Sequence, residues 1–208
     1  MTPYPDGHLN QIYALLFCDD IGAYRSSADS HVGKPWTDLF GVNVPNEKLE
    51  DIKSDDSLET RHRLLANNLL RDRGIADDSR RLFGVIVEVH MDEGLDVLAV
   101  YEDGSARYIN YSGKLIVWDA STSESQRLKE DLFTASKNVV SQIGPWESKR
   151  LPPPVTGNAR LSFLVADGIY FGEAPFDALA SDPMGGAVLN SAGAFMAYLV
   201  ENAMDQSR

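Results

Sequence analysis

The stretch that decides the fold runs from Leu82 to Trp118 and reads LFGVIVEVHMDEGLDVLAVYEDGSARYINYSGKLIVW. Apolar and polar residues alternate in it at the strand period, and three turn signals, Asp92-Glu93-Gly94, Asp103-Gly104 and Ser112-Gly113, divide it at hairpin spacing. Four antiparallel strands joined as a meander are expected. Successive side chains of a strand point to opposite faces, so the first strand directs Phe83, Val85, Val87, Val89 and Met91 toward a core. Gly84, Ile86, Glu88 and His90 then lie on an outer, solvated face. In the second strand Leu95, Val97, Ala99 and Tyr101 oppose Asp96, Leu98, Val100 and Glu102, a face that is only half polar. Asp103-Gly104 suits a two-residue turn that needs positive φ, and Gly94 and Gly113 supply the same freedom in their own connections. Tyr108, Tyr111, Ile116 and Trp118 add aromatic and β-branched residues that pair well across strands.

On the N-terminal side the pattern turns helical. Gly7 to Phe17, Lys34 to Gly41, Asn46 to Ile52 and Ser57 to Arg73 each carry apolar residues at helical spacing, and the composition of Asp19 to Gly33 reads as a loop. His62, between Arg61 and Arg63, reads as a surface residue. On the C-terminal side Ser123 to Ile143 is the longest predicted helix, with Ser121 and Ser123 as candidate caps. Lys149 to Pro154 must be extended, because proline rings forbid helix, and it serves as a stiff connector. Ala159 to Val165 alternates again and returns through Asp167-Gly168 to Ile169–Phe171. Asp182 then caps a final helix with Pro183 in its first position, and Val188, Leu189, Ala192, Phe195, Met196, Leu199 and Val200 give it a broad apolar stripe. This order specifies an α+β fold, a single antiparallel sheet of about six strands packed with helices. Residues 1–208 are read as one domain, mainly helical over 1–80 and sheet-containing over 81–208.

The 208 residues carry a net charge of −12, and acids outnumber bases everywhere except over residues 120–158. A phosphate backbone needs a basic patch, so nucleic-acid binding is not expected. No apolar run approaches the ~20 residues of a membrane span, the N-terminus lacks the pattern of a secretory signal, and the expected location is the cytoplasm. Cys18 has no partner for a disulfide within the chain, and Asp19 and Asp20 beside it disfavour the thiolate, so it reads as an inert buried thiol.

Recognised catalytic spacings are absent: there is no phosphate-binding Gly-x-x-x-x-Gly-Lys, Gly-x-Ser-x-Gly, His-Glu-x-x-His or Cys-x-x-Cys. Three regions carry what chemistry there is. His90 and Glu88 share a strand face about 7 Å apart, two residues along one strand, and with His31 they are the candidate catalytic groups. Gly185 and Gly186, near a helix N-terminus, are candidate anion ligands. The acidic, serine-rich stretch Asp19 to Ser30 lacks the ligand spacing of a calcium loop, and neither metal nor cofactor is expected. Leu98, Val100, Phe195 and Met196 offer more apolar surface than one thin layer consumes. The sequence therefore favours a non-enzymatic protein that binds a basic protein partner or a second copy of itself through that surface. The alternative is a small-molecule or enzymatic site between the sheet and residues 19–41.

Overall fold

Leu82–Met91 (β1), Gly94–Tyr101 (β2), Ala106–Ile109 (β3) and Leu115–Trp118 (β4) form the meander in a computed structural model that describes residues 2–26 and 33–205. Asn158–Val165 (β5) and Gly168–Pro175 (β6) form the later hairpin, and β5 pairs with β1 rather than with β4. The result is one antiparallel sheet of order β4-β3-β2-β1-β5-β6. The α+β reading holds, with β1, ten residues long, at the centre of the sheet. The turn chemistry is as read: Gly104 and Gly113 take φ of 88° and 83°, the left-handed region that a side chain disfavours.

Helices cover both faces of the sheet. Gly7–Leu15 (α1), Ile21–Ser26 (α2), Trp36–Phe40 (α3), Asn46–Ser54 (α4) and Thr60–Asp72 (α5) bury Tyr13, Leu49, Leu65 and Leu70 against Ile86, Val97, Ala99 and Tyr101. Ser123–Val140 (α6), Phe176–Ser181 (α7) and Gly185–Asp205 (α8) lie on the other side. There Leu132, Phe133, Phe195 and Leu199 meet Val85, Val87, Leu98, Val100 and Phe163. Among the described residues no helix is long and apolar enough to cross a membrane.

Several expectations are corrected by this arrangement. The face of β1 bearing Glu88 is not solvated: Ile86 and Glu88 are fully buried beneath the N-terminal helices. A register shift between Leu82 and Gly84 moves Phe83 into that same layer and turns Leu82 to the other, and Met91, at the strand end, is exposed. Leu98, Val100 and Phe195 are buried within the chain, and Met196 packs half-buried beside them, so α6 and α8 consume the apolar surface that the sequence left over. Part of the Asp19–Gly33 loop is helical, as α2, with Asp20 accepting from the Ala23 amide at 2.9 Å. Thr122 rather than a serine caps α6, in a reciprocal pair with Ser125. His62 is buried edge-on to Trp36, with 4.4 Å between ring centroids.

Leu65 and Leu132 are each fully buried, one in each helical layer. Leu65→Ala and Leu132→Ala should each cost about 2–5 kcal/mol of stability, the range for emptying a packed leucine site. Both layers rest on the same strands, so urea unfolding followed by fluorescence and by circular dichroism should give one coincident transition for each variant. Two separated transitions would mean that the layers unfold independently.

Candidate functional site

Three charged side chains stand in one row across the sheet. Glu88 of β1 is the register partner of Arg160 of β5, and Arg160 is the partner of Glu173 of β6. Strand alternation places all three on the face of the N-terminal helices. Glu88 is fully buried and Arg160 nearly so. The Arg160 guanidinium donates to Glu173 Oε2 through Nε at 2.9 Å and Nη2 at 2.6 Å, and lies 3.7 Å from Glu88 Oε2. It also donates to the Pro152 carbonyl at 2.7 Å, which ties the connector before β5 to the sheet. The Tyr13 hydroxyl of α1 donates to Glu88 Oε1 at 2.5 Å. Burial is the largest influence on Glu88 and raises its carboxyl above the usual carboxylate range, against the opposing pull of the Tyr13 hydroxyl and of the Arg160 and Arg150 guanidiniums. Burial and the nearby Glu88 together raise Tyr13, so its hydroxyl remains the donor.

Beside this row the N-terminal layer stops short of the sheet edge, and a cleft of about 860 Å³ opens over β5 and β6. Its floor is the face carrying Arg160, Ser162, Ile169 and Phe171. Tyr13 and Ala14 of α1, the Asp19–Ile21 segment and the end of α5 form one wall, and residues 146–153 form the other. That second wall is held at several points. The Trp146 amide donates to the Ile169 carbonyl at 2.7 Å, and its indole stands edge-on to Phe171 with centroids 5.1 Å apart. Arg150 reaches across to Asp19, with Nε 2.9 Å from Oδ2, and its guanidinium lies 3.9 Å from the centroid of Phe17. Beyond the cleft, His90 Nδ1 is 2.7 Å from the Pro154 carbonyl.

The residues singled out from sequence do not converge. Glu88 sits behind Tyr13 and Arg160 rather than in the cleft wall, His90 is half-buried at the end of β1 on the connector, and His31 lies outside the described residues. The Gly185 amide donates to Asp182 Oδ1 at 2.6 Å and the Gly186 amide to the Asp182 carbonyl at 2.8 Å, so the candidate anion donors are spent on capping α8. These glycines serve close packing instead, since a Cβ on Gly186 would collide with the Ala180 carbonyl. Cys18 is fully buried, and burial pushes its thiol up to about 11, with Asp19 a lesser contributor. Among the described residues no group of three or more His, Cys, Asp or Glu is placed to hold a metal ion.

Sequence reasoning missed Tyr13, Arg150, Arg160, Trp146 and Phe171, and reached Asp19 only as part of the acidic stretch Asp19 to Ser30. One signal was legible: Arg160 alternates with the inward residues Ala159 and Leu161, as Glu88 does with Val87 and Val89. Opposite charges on the polar phase of two apolar strands fit a cross-strand pair. No protein-family model, curated protein or solved structure matches the chain.

The raised Glu88 carboxyl has a defined effect on stability. The folded chain holds this proton more tightly than the unfolded chain, so stability falls as the pH rises from the ordinary carboxylate range through the raised folded value. The penalty is fully present above that window and absent below it. Glu88→Gln retains an acceptor for Tyr13 and cannot ionise, and it should remove this part of the pH dependence. Thermal midpoints measured from acid to neutral pH should show the native protein losing ground to the variant through the window. Parallel curves would show that Glu88 titrates as an exposed carboxylate does.

Proposed function

We propose that this chain is a small-molecule-binding protein whose ligand occupies the cleft over β5 and β6. One observation carries the reading: a concavity of about 860 Å³ lies against the open part of the sheet, within the ~300–1,000 Å³ usual for ligand sites. Its lining combines apolar and aromatic surface (Ile21, Ile169, Phe171, Trp146) with charges of both signs. Such a lining holds a ligand by its body and orients it by a few polar groups. Binding rather than turnover is favoured because Glu88, the buried carboxyl with the raised affinity for a proton, is held behind Tyr13 and Arg160 and does not face the cleft. Docking of a protein partner or a second copy through Leu98, Val100, Phe195 and Met196 gains no support from the burial of these side chains.

The test is retention of ligand from a mixture. Purified protein is incubated with a deproteinised cell extract, washed, denatured, and the released small molecules are identified by mass spectrometry. The native chain should retain a compound that Ala14→Trp, which projects an indole into the cleft from half-buried α1, does not retain while keeping its native circular dichroism. Equal retention by both proteins, or none by the native chain, would reject the cleft as the binding site.

A further inference from the structure

The charges that the protein leaves uncommitted in the cleft specify the head of the ligand. Two of the lining cations are taken: Arg150 by Asp19, and Arg160 by Glu173 and Glu88. Lys149, on the wall of residues 146–153, and Arg71, at the end of α5, form no ion pair among the described residues, and the one beside the β5–β6 turn is Arg71. Its Nη1 lies 3.4 Å from the Ala166 carbonyl, which sets the guanidinium beside the β5–β6 turn, next in sequence to Asp167. Asp167 accepts from the Tyr170 hydroxyl through Oδ2 at 2.7 Å, and its Oδ1 is buried with no hydrogen-bond partner. An acceptor shielded from water and left without a donor among the described residues is costly to a fold, and Asp167, whose other oxygen is held by Tyr170 of the α6/α8 layer, lines the cleft with this oxygen still to satisfy. Asp72 lines the same end and is exposed. A cation and two carboxylates therefore meet at one end of the cleft.

The neighbouring part of the floor is apolar. Ile169 and Phe171 stand two residues apart on β6, about 7 Å along the strand, with Asp167 in the turn just before it; the Trp146 amide bonds the Ile169 carbonyl and its indole stands against Phe171. Head and body are thus separated on the scale of a single amino acid. Resting on the cleft as the ligand site, we propose that the ligand is a free α-amino acid with a large apolar or aromatic side chain. Its carboxylate pairs with Arg71, its ammonium donates to Asp167 and Asp72, and its side chain lies against Ile169, Phe171 and Trp146. The charge-assisted pairing of Arg71 with a carboxylate is the strong, directional contact of the set.

Calorimetric titration of the full chain with L-leucine, L-phenylalanine and L-tryptophan tests the class, and phenethylamine and 3-phenylpropionate test the head. At least one amino acid should bind, and the analogues lacking its carboxylate or its ammonium should bind at least tenfold more weakly, because each leaves a charged group of the site unpaired. Arg71→Gln and Asp167→Asn, each with native circular dichroism, should lower the affinity for the amino acid at least tenfold. Phenethylamine binding as tightly as phenylalanine, or unchanged affinity in Arg71→Gln, would overturn the head assignment. If no amino acid binds at millimolar concentration while a compound from the extract is retained and lost in Ala14→Trp, the class is wrong and the cleft stands. If the extract yields nothing either, both readings fall.

Discussion

An antiparallel sheet that is apolar on both faces can leave neither in water, and this constraint organises the whole chain. Valines and leucines of β1 and β2 fill one face, while Ile86, Val97, Ala99 and Tyr101 fill the other. Each face requires its own helical cover, and the chain supplies one from the segment before the sheet and one from the segments that follow the meander. Because β5 and β6 join at β1, the central strand receives apolar neighbours on both edges and both faces. Among the described residues the cover before the sheet is built of five short helices, of which α5, with thirteen residues, is the longest. Such pieces blanket the meander and leave the β5–β6 end of the sheet open. The cleft follows from the mismatch between a six-stranded sheet and a layer that does not reach across it.

Burying both faces also creates an electrostatic problem at Glu88. A carboxylate at the centre of a covered sheet is tolerated when charge and hydrogen bonds compensate it, and otherwise it keeps its proton. Here the compensation is partial: Tyr13 donates from the layer above and Arg160 approaches from the next strand, while Glu173 beyond it holds the guanidinium in place and, as a like charge, adds to the upward shift. Arg160 in turn fixes the connector through the Pro152 carbonyl, and Arg150 of that connector closes onto Asp19. A single buried acid is thereby linked to the walls of the cleft. The ligand site and the core share their polar scaffold, so the geometry of the first depends on the packing of the second.

Much of the architecture was legible in the sequence, because the strand period and turn residues are local properties. The four meander strands, the second hairpin, the main helices and the α+β class follow from alternation, from glycine at positive φ and from the 3.6-residue apolar stripe. The half-polar face of β2, with Leu98 and Val100 among charges, was the visible trace of a second buried layer. The sequence reading assigned it to a partner; in the fold Leu98 and Val100 are covered by α6 and α8 of the same chain. The candidate site was hardly legible. Glu88 was singled out for its neighbour His90, whereas its contacts are Tyr13, 75 residues away in sequence, and Arg160. The shift that sends Phe83 and Leu82 to opposite layers has no local signal either, since it arises from the pairing of β1 with β5.

By itself, then, the sequence determined the strands, the main helices and their order, the class of fold and the net negative charge, because each depends on residues close together along the chain or on composition alone. The tertiary structure decided the strand order, the covering of both faces, the burial of Glu88 and His62 and the existence of the cleft. These depend on which distant segments meet, and on how far a layer of short helices extends over a sheet. Periodicity shows that a face must be covered, but which helices cover it, and where the cover ends, is settled only when the strands have paired and the whole chain competes for the same apolar surface.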